Sequence, residues 1–389
     1  MKAIYYNIFG LGHINPTLPL VAALVAKGVE VIYHTSPERQ ALVEKAGAQF
    51  RNYGRDDYQA ADFNPGKNFV LQTIPATMGL LPFLKAEIES EKPDFILYDS
   101  MAPWGKLLGH IFGIPAFCTV TTFALNEHLR RETFAKHQVM ADDINLQTIA
   151  ALKREFDLEL PLINALGAYN QCNFVFTAKE FNPPLSGMNE EHFHFIGSLS
   201  TPSHEMLEFP FHQLTGRKVI TMALGTLLPS EDPSVVEWYQ ALLRAFAGND
   251  RYWLVLAVGT SKILSELGPL PRNAIVREKI PQKEVLEHTD VFINHGGMNS
   301  INEALSAGVP IVVIPHSKDQ FVNAARVKEL GLGKVIAKNE VTSAHLKTAV
   351  VDLMLSDGHK KRAQQMQEHF QQTIGLEGML TVIRQQVAV

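Results

Sequence analysis

A cluster of polar residues between Val291 and Gln320 has the types and spacing to bind an anion. The apolar run Val291-Phe292-Ile293 precedes the sequence His295-Gly296-Gly297-Met298-Asn299-Ser300. We predict a buried strand, a tight glycine turn, and a helix from Asn299 to Ala307. A helix N-terminus presents unpaired N–H groups and the positive end of its dipole, so the expected ligand is a phosphate group. His295 and Ser300 are predicted to help meet its charge.

Two further segments of the second half follow predicted strands. Met222-Ala223-Leu224-Gly225-Thr226 has the pattern of a strand and a glycine turn, and the hydroxyl and N–H of Thr226 suit a phosphate. Ile280-Pro281-Gln282 lies between a strand and a helix that begins near Glu284, so its backbone could hydrogen-bond the edge of a nucleobase. An ordinary loop is the alternative interpretation of this second segment.

Three polar residues follow the predicted turn. Glu303 comes eight positions after His295, two helical turns on, where a carboxylate can bridge the hydroxyls of a ribose. Asp319 and Gln320 could hydrogen-bond the hydroxyls of a sugar. The alternatives are a solvated glutamate and two residues that cap a helix from Phe321 to Leu330.

In the first half, a histidine and a carboxylate each follow a predicted strand. His13 comes after the run from Ala3 to Ile8 and a glycine turn, and Asp99 closes the run from Phe95 to Tyr98. Histidine suits proton transfer near neutral pH, and a neighbouring carboxylate would orient its ring and stabilise its charged form. The alternatives are a surface histidine and an aspartate that caps the next helix. From the sequence, both interpretations are open.

Missing motifs exclude several protein classes. The third glycine of a dinucleotide-binding turn would fall at Asn15, where we predict a helix cap with Pro16 as the first helical residue. Tyr33-His34-Thr35 offers no acid for a ribose, so NAD is rejected. We find no Asp-x-Asp element, zinc-type His/Cys cluster, Gly-x-Ser-x-Gly turn or Walker loop. We therefore expect neither a metal nor a cofactor.

Composition and periodicity describe the frame that must position these residues. The chain has 389 residues, of which 46% are apolar and 19% charged, with a net charge of −5, so two globular domains and no nucleic-acid partner are expected. Its two cysteines, Cys118 and Cys172, predict neither a disulfide framework nor a zinc site, which fits a cytoplasmic protein. We find no apolar run of about 18 residues that would span a membrane, and expect no stable membrane association.

Strands and helices alternate along the chain. This pattern predicts an α/β protein with two doubly wound Rossmann-like domains, residues 1–198 and 218–368, joined by a polar linker at 199–217. Ligands of doubly wound sheets bind beyond the carboxyl ends of the strands, so a cleft between the domains is the predicted site.

The residues of the second half resemble the donor-binding signature of UDP-glycosyltransferases, which have the two-domain GT-B fold. The resemblance runs from Ile280-Pro281-Gln282 to Asp319-Gln320 in the same order and spacing. Gly12-His13-Ile14-Asn15-Pro16 resembles the N-terminal motif of the family. The sequence from His295 to Ser300 is most similar to that of the bacterial macrolide glycosyltransferase branch. The resemblance also implies that a helix at about 369–389 joins the N-terminal domain.

The resemblance implies a role for each site residue. His13 would be the general base and Asp99 its partner. With the residues singled out above, the complete set expected to bind the donor is Gly225, Thr226, Ile280, Gln282, His295, Gly297, Met298, Asn299, Ser300, Glu303, Asp319 and Gln320. Lys279 and Met298 stand where plant members have tryptophan, so a thymidine-diphosphate sugar is an alternative to UDP, while Gln320 favours glucose as the sugar.

The predicted function is an inverting transfer of a hexose, with glucose favoured, from a UDP-sugar to a hydroxyl of a hydrophobic small molecule. A flavonoid, a phenol or a macrolide is the expected acceptor. Candidate acceptor-lining residues are Phe9, Met78, Leu81 and Phe123, each of which is also expected in the core. A UDP-sugar epimerase or hydrolase on the same fold, and a non-catalytic UDP-sugar-binding protein, are the alternatives. The oligomeric state is not predicted.

Overall fold

The structure is a computed structural model that describes residues 1–53, 69–136, 143–157, 169–199, 208–225, 232–316 and 319–387. The chain forms two compact units. The first comprises Met1–Thr201 and Thr373–Val389, and the second comprises Pro202–Gln372.

A seven-stranded parallel sheet organises the described part of the first unit. Its strands are β1 (Lys2–Tyr6), β2 (Glu30–His34), β3 (Gln49–Arg51), β4 (Phe95–Asp99), β5 (Ala116–Val120), β6 (Asn173–Val175) and β7 (Phe193–Phe195). Its helices are α1 (Leu11–Ile14), α2 (Leu18–Ala26), α3 (Gln40–Lys45), α4 (Phe69–Glu91), α5 (Pro103–Phe112), α6 (Glu127–Lys136) and α7 (Asp143–Phe156). The strand order is β3-β2-β1-β4-β5-β6-β7, so the winding reverses between β1 and β4.

Continuous apolar runs form the central strands because both faces of this sheet are covered. Along β1, Ile4 and Tyr6 enter the core on one face, while Ala3 and Tyr5 enter the core on the other. Cys118 and Cys172 are free and belong to these two different cores. Burial raises the pKa of Cys118, and it raises the pKa of Cys172 to about 12, so both thiols stay protonated.

The second unit has a six-stranded parallel sheet in its described residues. Its strands are β8 (Lys218–Ala223), β9 (Tyr252–Ala257), β10 (Ala274–Arg277), β11 (Val291–Asn294), β12 (Ile311–Val313) and β13 (Gly333–Val335). Its helices are α8 (Ser234–Phe246), α9 (Ser261–Glu266), α10 (Gln282–Leu286), α11 (Met298–Ser306), α12 (Asp319–Glu329), α13 (Ser343–Leu355) and α14 (Asp357–Gln371). The strand order is β10-β9-β8-β11-β12-β13, and the winding reverses between β8 and β11.

The last helix, α15 (Gly375–Val387), belongs to the first unit. Its residues Met379, Leu380 and Ile383 are buried in the core that also contains Tyr5 and Leu20. Among the described residues, no helix combines the length and the apolar character needed to cross a lipid bilayer.

The predicted α/β class with two Rossmann-like halves is confirmed. The predicted start of the first helix is wrong. Asn15 is not its cap, because the chain becomes helical at Leu11, where Gly10 is the N-cap and accepts the N–H groups of His13 and Ile14. Pro16 has no N–H to continue the helical ladder, so a 3-10 turn, Asn15–Thr17, separates α1 from α2.

Candidate active site

His13, Asp99 and Thr121 meet at the carboxyl ends of three neighbouring strands. β1, β4 and β5 lie side by side in the sheet. His13 lies in α1, directly after β1, Asp99 is the last residue of β4, and Thr121 follows β5. His13 Nδ1 is 2.8 Å from Asp99 Oδ2 and 2.8 Å from Thr121 Oγ1. Contact between His13 and Asp99, which the sequence left open, is therefore present.

Asp99 uses both of its carboxylate oxygens. Oδ2 faces His13, and Oδ1 accepts the N–H of Met101 at 2.8 Å. The side chain of Asp99 is completely buried, whereas that of His13 is 16% exposed. Because an ionised carboxylate accepts hydrogen bonds and cannot donate them, it favours the tautomer of His13 with hydrogen on Nδ1. Nε2 is then the basic nitrogen of the ring.

A buried polar network fixes the backbone of His13. Asn7 Nδ2 donates to the carbonyl of His13 at 3.2 Å and to the hydroxyl of Tyr33 at 2.7 Å. The Tyr33 hydroxyl also contacts Thr17 Oγ1 at 2.9 Å, and Thr17 donates to the carbonyl of Ile14 at 2.7 Å. Burial raises the pKa of Tyr33 far above its usual value, so the network stays uncharged.

The four predicted acceptor-lining residues have different surroundings. Leu81 is part of the core that contains Ile4 and Tyr6, and Met78 packs against that core. Phe123 is buried, with its ring 5.2 Å from that of Phe181. Phe9 is partly exposed. Leu81 and Phe123 therefore act mainly in packing.

The predicted anion-binding turn forms the N-terminus of α11. Gly297 is the N-cap, with φ −65° and ψ 136°, and has no side chain to cap the helix. Asn294 Oδ1 accepts the N–H of Gly296 at 2.7 Å and thereby fixes the turn. Asn299 and Ser300 are partly exposed in the first turn, whereas the side chain of Met298 is buried. Met298 therefore offers the site its backbone rather than its side chain.

Two glycines make room for the ring of His295. A Cβ atom built on Gly225 would lie 2.6 Å from His295 Cε1, and one built on Gly297 would lie 2.6 Å from His295 Nε2. A Cβ atom on Gly296 would instead meet Val313 at 3.0 Å. The structure gives Gly225 and Gly297 an intramolecular reason, the packing of His295.

His295 is uncharged near neutral pH. Burial, reinforced by nearby His316, lowers its pKa to about 4. Its Nδ1 is buried and makes no hydrogen bond to any described residue. An anion at this turn would therefore meet a neutral imidazole and the dipole of α11, rather than a full positive charge.

Glu303 and Gln282 form a pair between α11 and α10. Gln282 Nε2 donates to Glu303 Oε2 at 2.6 Å. Burial raises the pKa of Glu303, an effect that the bond from Gln282 opposes. Ile280, which precedes this pair, is 9% exposed and packs in the core with Val285. The structure thus brings together Gln282 and Glu303, two of the residues that the sequence predicted for the nucleoside.

Asp319 and Gln320 form the first turn of α12, so this helix begins two residues earlier than predicted. Gln320 Oε1 accepts the backbone N–H of His316 at 2.8 Å. Asn323 Nδ2, one turn on, donates to the carbonyl of Gly296 at 2.9 Å. The start of α12 is in this way tied to the turn before α11.

A polar cluster that the sequence did not predict contains His316, Asp232 and Lys338. His316 Nδ1 is 3.3 Å from Asp232 Oδ2, and Lys338 Nζ is 3.8 Å from the same oxygen. No local pattern joins residues so far apart in sequence.

Thr226, a predicted phosphate ligand, lies outside the described residues. Within the ranges that are described, no group of three or more His, Cys, Asp or Glu residues is arranged to hold a metal ion.

Comparisons with known proteins identify the family. Residues 250–373 match the domain described as "Erythromycin biosynthesis protein CIII-like, C-terminal domain". The chain is 35% identical over 384 residues to the NDP-glycosyltransferase YjiC of Bacillus licheniformis, covering 96% of this chain and 94% of that protein. The chain belongs to the bacterial NDP-glycosyltransferases. It is therefore an enzyme that transfers a sugar from a nucleotide-sugar donor.

Two other relatives agree with this assignment. The uncharacterized UDP-glucosyltransferase YojK of Bacillus subtilis (strain 168) is 30% identical over 382 residues, covering 92% of this chain and 90% of that protein. The crystal structure of the glycotransferase of kitacinnamycin is similar with a TM-score of 0.82 and 29% identity, covering 99% of this chain and 98% of that one. The glycosyltransferase has the GT-B fold of the natural-product branch.

Proposed function

We propose that this NDP-glycosyltransferase moves glucose from UDP-glucose to a hydroxyl of a hydrophobic small molecule, with inversion at the anomeric carbon. The observation that supports this most is the 2.8 Å contact between His13 Nδ1 and the buried carboxylate of Asp99. It makes Nε2 a base, and a base is what direct displacement by a hydroxyl requires.

In the proposed reaction, His13 Nε2 takes the proton of the acceptor hydroxyl as that oxygen attacks the anomeric carbon. The bond between that carbon and the diphosphate oxygen breaks, and its electrons leave with UDP. Asp99 stabilises the imidazolium that forms. A phenol, with a pKa of about 10 if it resembles tyrosine, is a better acceptor for histidine than an aliphatic alcohol is.

The donor half of the proposal rests on the second unit. The uncapped N-terminus of α11 would hold the diphosphate, and Glu303 with Gln282 would hold the ribose. Asp319 and Gln320 would bind the hydroxyls of the sugar. We favour UDP because a carboxylate that bridges ribose hydroxyls gains a partner in the 2′-hydroxyl, which thymidine lacks. The name of one relative, a UDP-glucosyltransferase, agrees with this choice.

We further propose that catalysis needs no metal or cofactor and that the enzyme is cytoplasmic. The charge that develops on the leaving diphosphate would be met by the dipole of α11 and by hydrogen bonds from His295, Asn299 and Ser300. An unchanged transfer rate in excess EDTA, with or without added Mg²⁺, is the expected result. A rate that EDTA abolishes and Mg²⁺ restores would contradict this part of the proposal.

The test is incubation with UDP-glucose or TDP-glucose and a mixture of phenols, flavonoids and macrolides. Products are read by mass, and their anomeric configuration by NMR. We expect a β-glucoside from the α-linked donor, and a loss of at least a hundredfold in kcat for His13→Ala. His128→Ala, which changes an exposed histidine of α6, is the matched control.

Three outcomes would overturn the proposal. Full transfer by His13→Ala would remove the assigned base. Release of free glucose without any acceptor product would indicate a hydrolase. Tight binding of UDP, with no transfer to any acceptor, would indicate a binding protein rather than a transferase for these substrates.

A further inference from the structure

The hydroxyl of Thr121 is as close to the catalytic histidine as the carboxylate is. Thr121 Oγ1 and Asp99 Oδ2 each lie 2.8 Å from His13 Nδ1. Thr121 is 2% exposed, and it follows β5, whereas Asp99 ends β4. Two partners from two different strands therefore converge on one ring nitrogen.

The hydrogen at Nδ1 decides how the two partners share it. A neutral imidazole has one N–H, and the carboxylate of Asp99 can act only as acceptor, so that hydrogen lies on Nδ1. Thr121 Oγ1 then accepts the second branch of a shared hydrogen bond. If the threonine donated to Nδ1 instead, the hydrogen would sit on Nε2 and the carboxylate would face a lone pair, which is unfavourable.

We infer that Thr121 is a positioning residue for His13, an inference that rests on the proposed function. Its hydroxyl holds the plane of the imidazole so that Nε2 keeps one direction, and it gives the imidazolium a second acceptor. When Nε2 takes the proton of the acceptor hydroxyl, the ring becomes an imidazolium. Asp99 and Thr121 then stabilise its positive charge by accepting the hydrogen bond from Nδ1. This role does not alter which bonds form and break in the proposed transfer.

The titratable groups around Asp99 decide what a pH profile would report. Asp99 interacts electrostatically with Tyr5 of β1, Tyr33 of β2 and Cys118 of β5. Burial raises the pKa of all three well above their usual values, so none carries charge near neutral pH. A change in the pH profile on altering Thr121 would therefore report on His13 and Asp99.

The experiment compares Thr121→Val, Thr121→Ala and Thr121→Ser. Valine removes the hydroxyl with little change of side-chain volume. Alanine removes the hydroxyl and also shortens the side chain, whereas serine keeps the hydroxyl. We expect valine and alanine to lower kcat about tenfold because the ring is less well oriented. In the plot of kcat against pH, the midpoint of the acid limb should fall by about half a pH unit, because the imidazolium loses one hydrogen-bond acceptor. The KM for the UDP-sugar should stay unchanged, and serine should restore both rate and midpoint.

The control is Thr381→Val, whose hydroxyl donates to the carbonyl of Glu377 within α15. Full activity of Thr121→Val, or of Thr121→Ala if the valine variant does not fold, would overturn the inference. So would a loss of rate with an unchanged midpoint that serine does not restore, because that pattern indicates a structural role. If the wild type transfers no sugar, or if His13→Ala still does, the proposed function fails whatever the Thr121 variants show.

Discussion

Two histidines of this enzyme show how surroundings set the role of one residue type. His13 has a buried carboxylate 2.8 Å from Nδ1, which favours its charged form. His295 is desolvated between two glycines, and its pKa falls to about 4. The first is suited to take up a proton, and the second is suited to stay neutral.

Removing the charge of Asp99 should slow the transfer reaction without weakening the binding of the donor nucleotide. In Asp99→Asn the amide no longer fixes the tautomer or stabilises the imidazolium, so we expect kcat to fall by about a hundred- to ten-thousandfold. The Kd for UDP, measured by calorimetry, should be unchanged because the predicted donor ligands lie in the other unit. Asp94→Asn is the control, since Asp94 precedes the same strand and accepts the backbone N–H of Lys2. A kcat near that of the wild type would contradict the role of Asp99.

His295 should make the protein sensitive to acid. Its pKa falls from 6.5 to about 4 on folding, so below pH 6.5 the unfolded chain binds a proton that the folded chain does not. The stability that comes from keeping it neutral is complete above pH 6.5. It is lost as the pH falls towards 4, by up to about 3 kcal/mol.

Urea unfolding of His295→Gln at several pH values tests this sensitivity. We expect the variant to lose less stability than the wild type between pH 7 and pH 5. His128→Gln, at an exposed position, should follow the wild type. A constant difference between His295→Gln and the wild type at every pH would contradict the assignment.

At the scale of elements, the sequence predicted what long buried runs and strand ends can predict. β4 was expected because Phe95 to Tyr98 is continuously apolar, and Asp99 stood out because it ends that run. Thr121 follows β5 in the same way, but a threonine after Val120 gives no chemical signal unless β5 is known to lie beside β4. β3 (Gln49–Arg51) and β7 (Phe193–Phe195) were not predicted, because polar residues interrupt both segments and leave no continuous apolar run.

Specific hydrogen bonds set the remaining local geometry. The first helix starts at Leu11 rather than Pro16, since Gly10 accepts two backbone N–H groups and Asn7 holds the carbonyl of His13. The pairing of Gln282 with Glu303 depends in the same way on α10 lying beside α11. That pairing joins two helices, so a pattern read along one segment does not contain it.

The turn before α11 should tolerate no side chain at Gly297. Its φ of −65° suits alanine, so the backbone would not be strained, but the new Cβ atom would lie 2.6 Å from His295 Nε2. We expect Gly297→Ala to displace the imidazole and to weaken UDP binding by at least about tenfold. The midpoint of thermal unfolding should change by only a few degrees.

Gly358→Ala separates this steric effect from the general effect of a glycine replacement. Gly358 lies near the start of α14, and its Cβ atom would meet the flexible end of the Arg362 side chain at 3.4 Å. Calorimetric titration with UDP should give the same Kd for Gly358→Ala and the wild type. An unchanged Kd for Gly297→Ala as well would mean that the packing of His295 does not matter for the donor.

At the scale of the whole molecule, the first unit is closed by the end of the chain. The polypeptide leaves this unit after Thr201 and returns to it at Thr373. α15 then contributes Met379, Leu380 and Ile383 to the core that covers one face of the sheet. The resemblance to the GT-B family implied such a return.

Leu380→Ala should therefore destabilise the first unit and spare the second. Leu380 is 2% exposed, and truncating a buried leucine costs about 2 to 5 kcal/mol. UDP identifies the unfolding of the second unit, because a ligand at a hundred times its Kd adds about 2.7 kcal/mol to the state that binds it. In calorimetry we expect Leu380→Ala to lower the transition that UDP does not raise. Leu355→Ala, at a position 79% exposed, should change neither transition. Equal losses for the two variants, or a loss confined to the UDP-sensitive transition, would contradict the place of α15 in the first core.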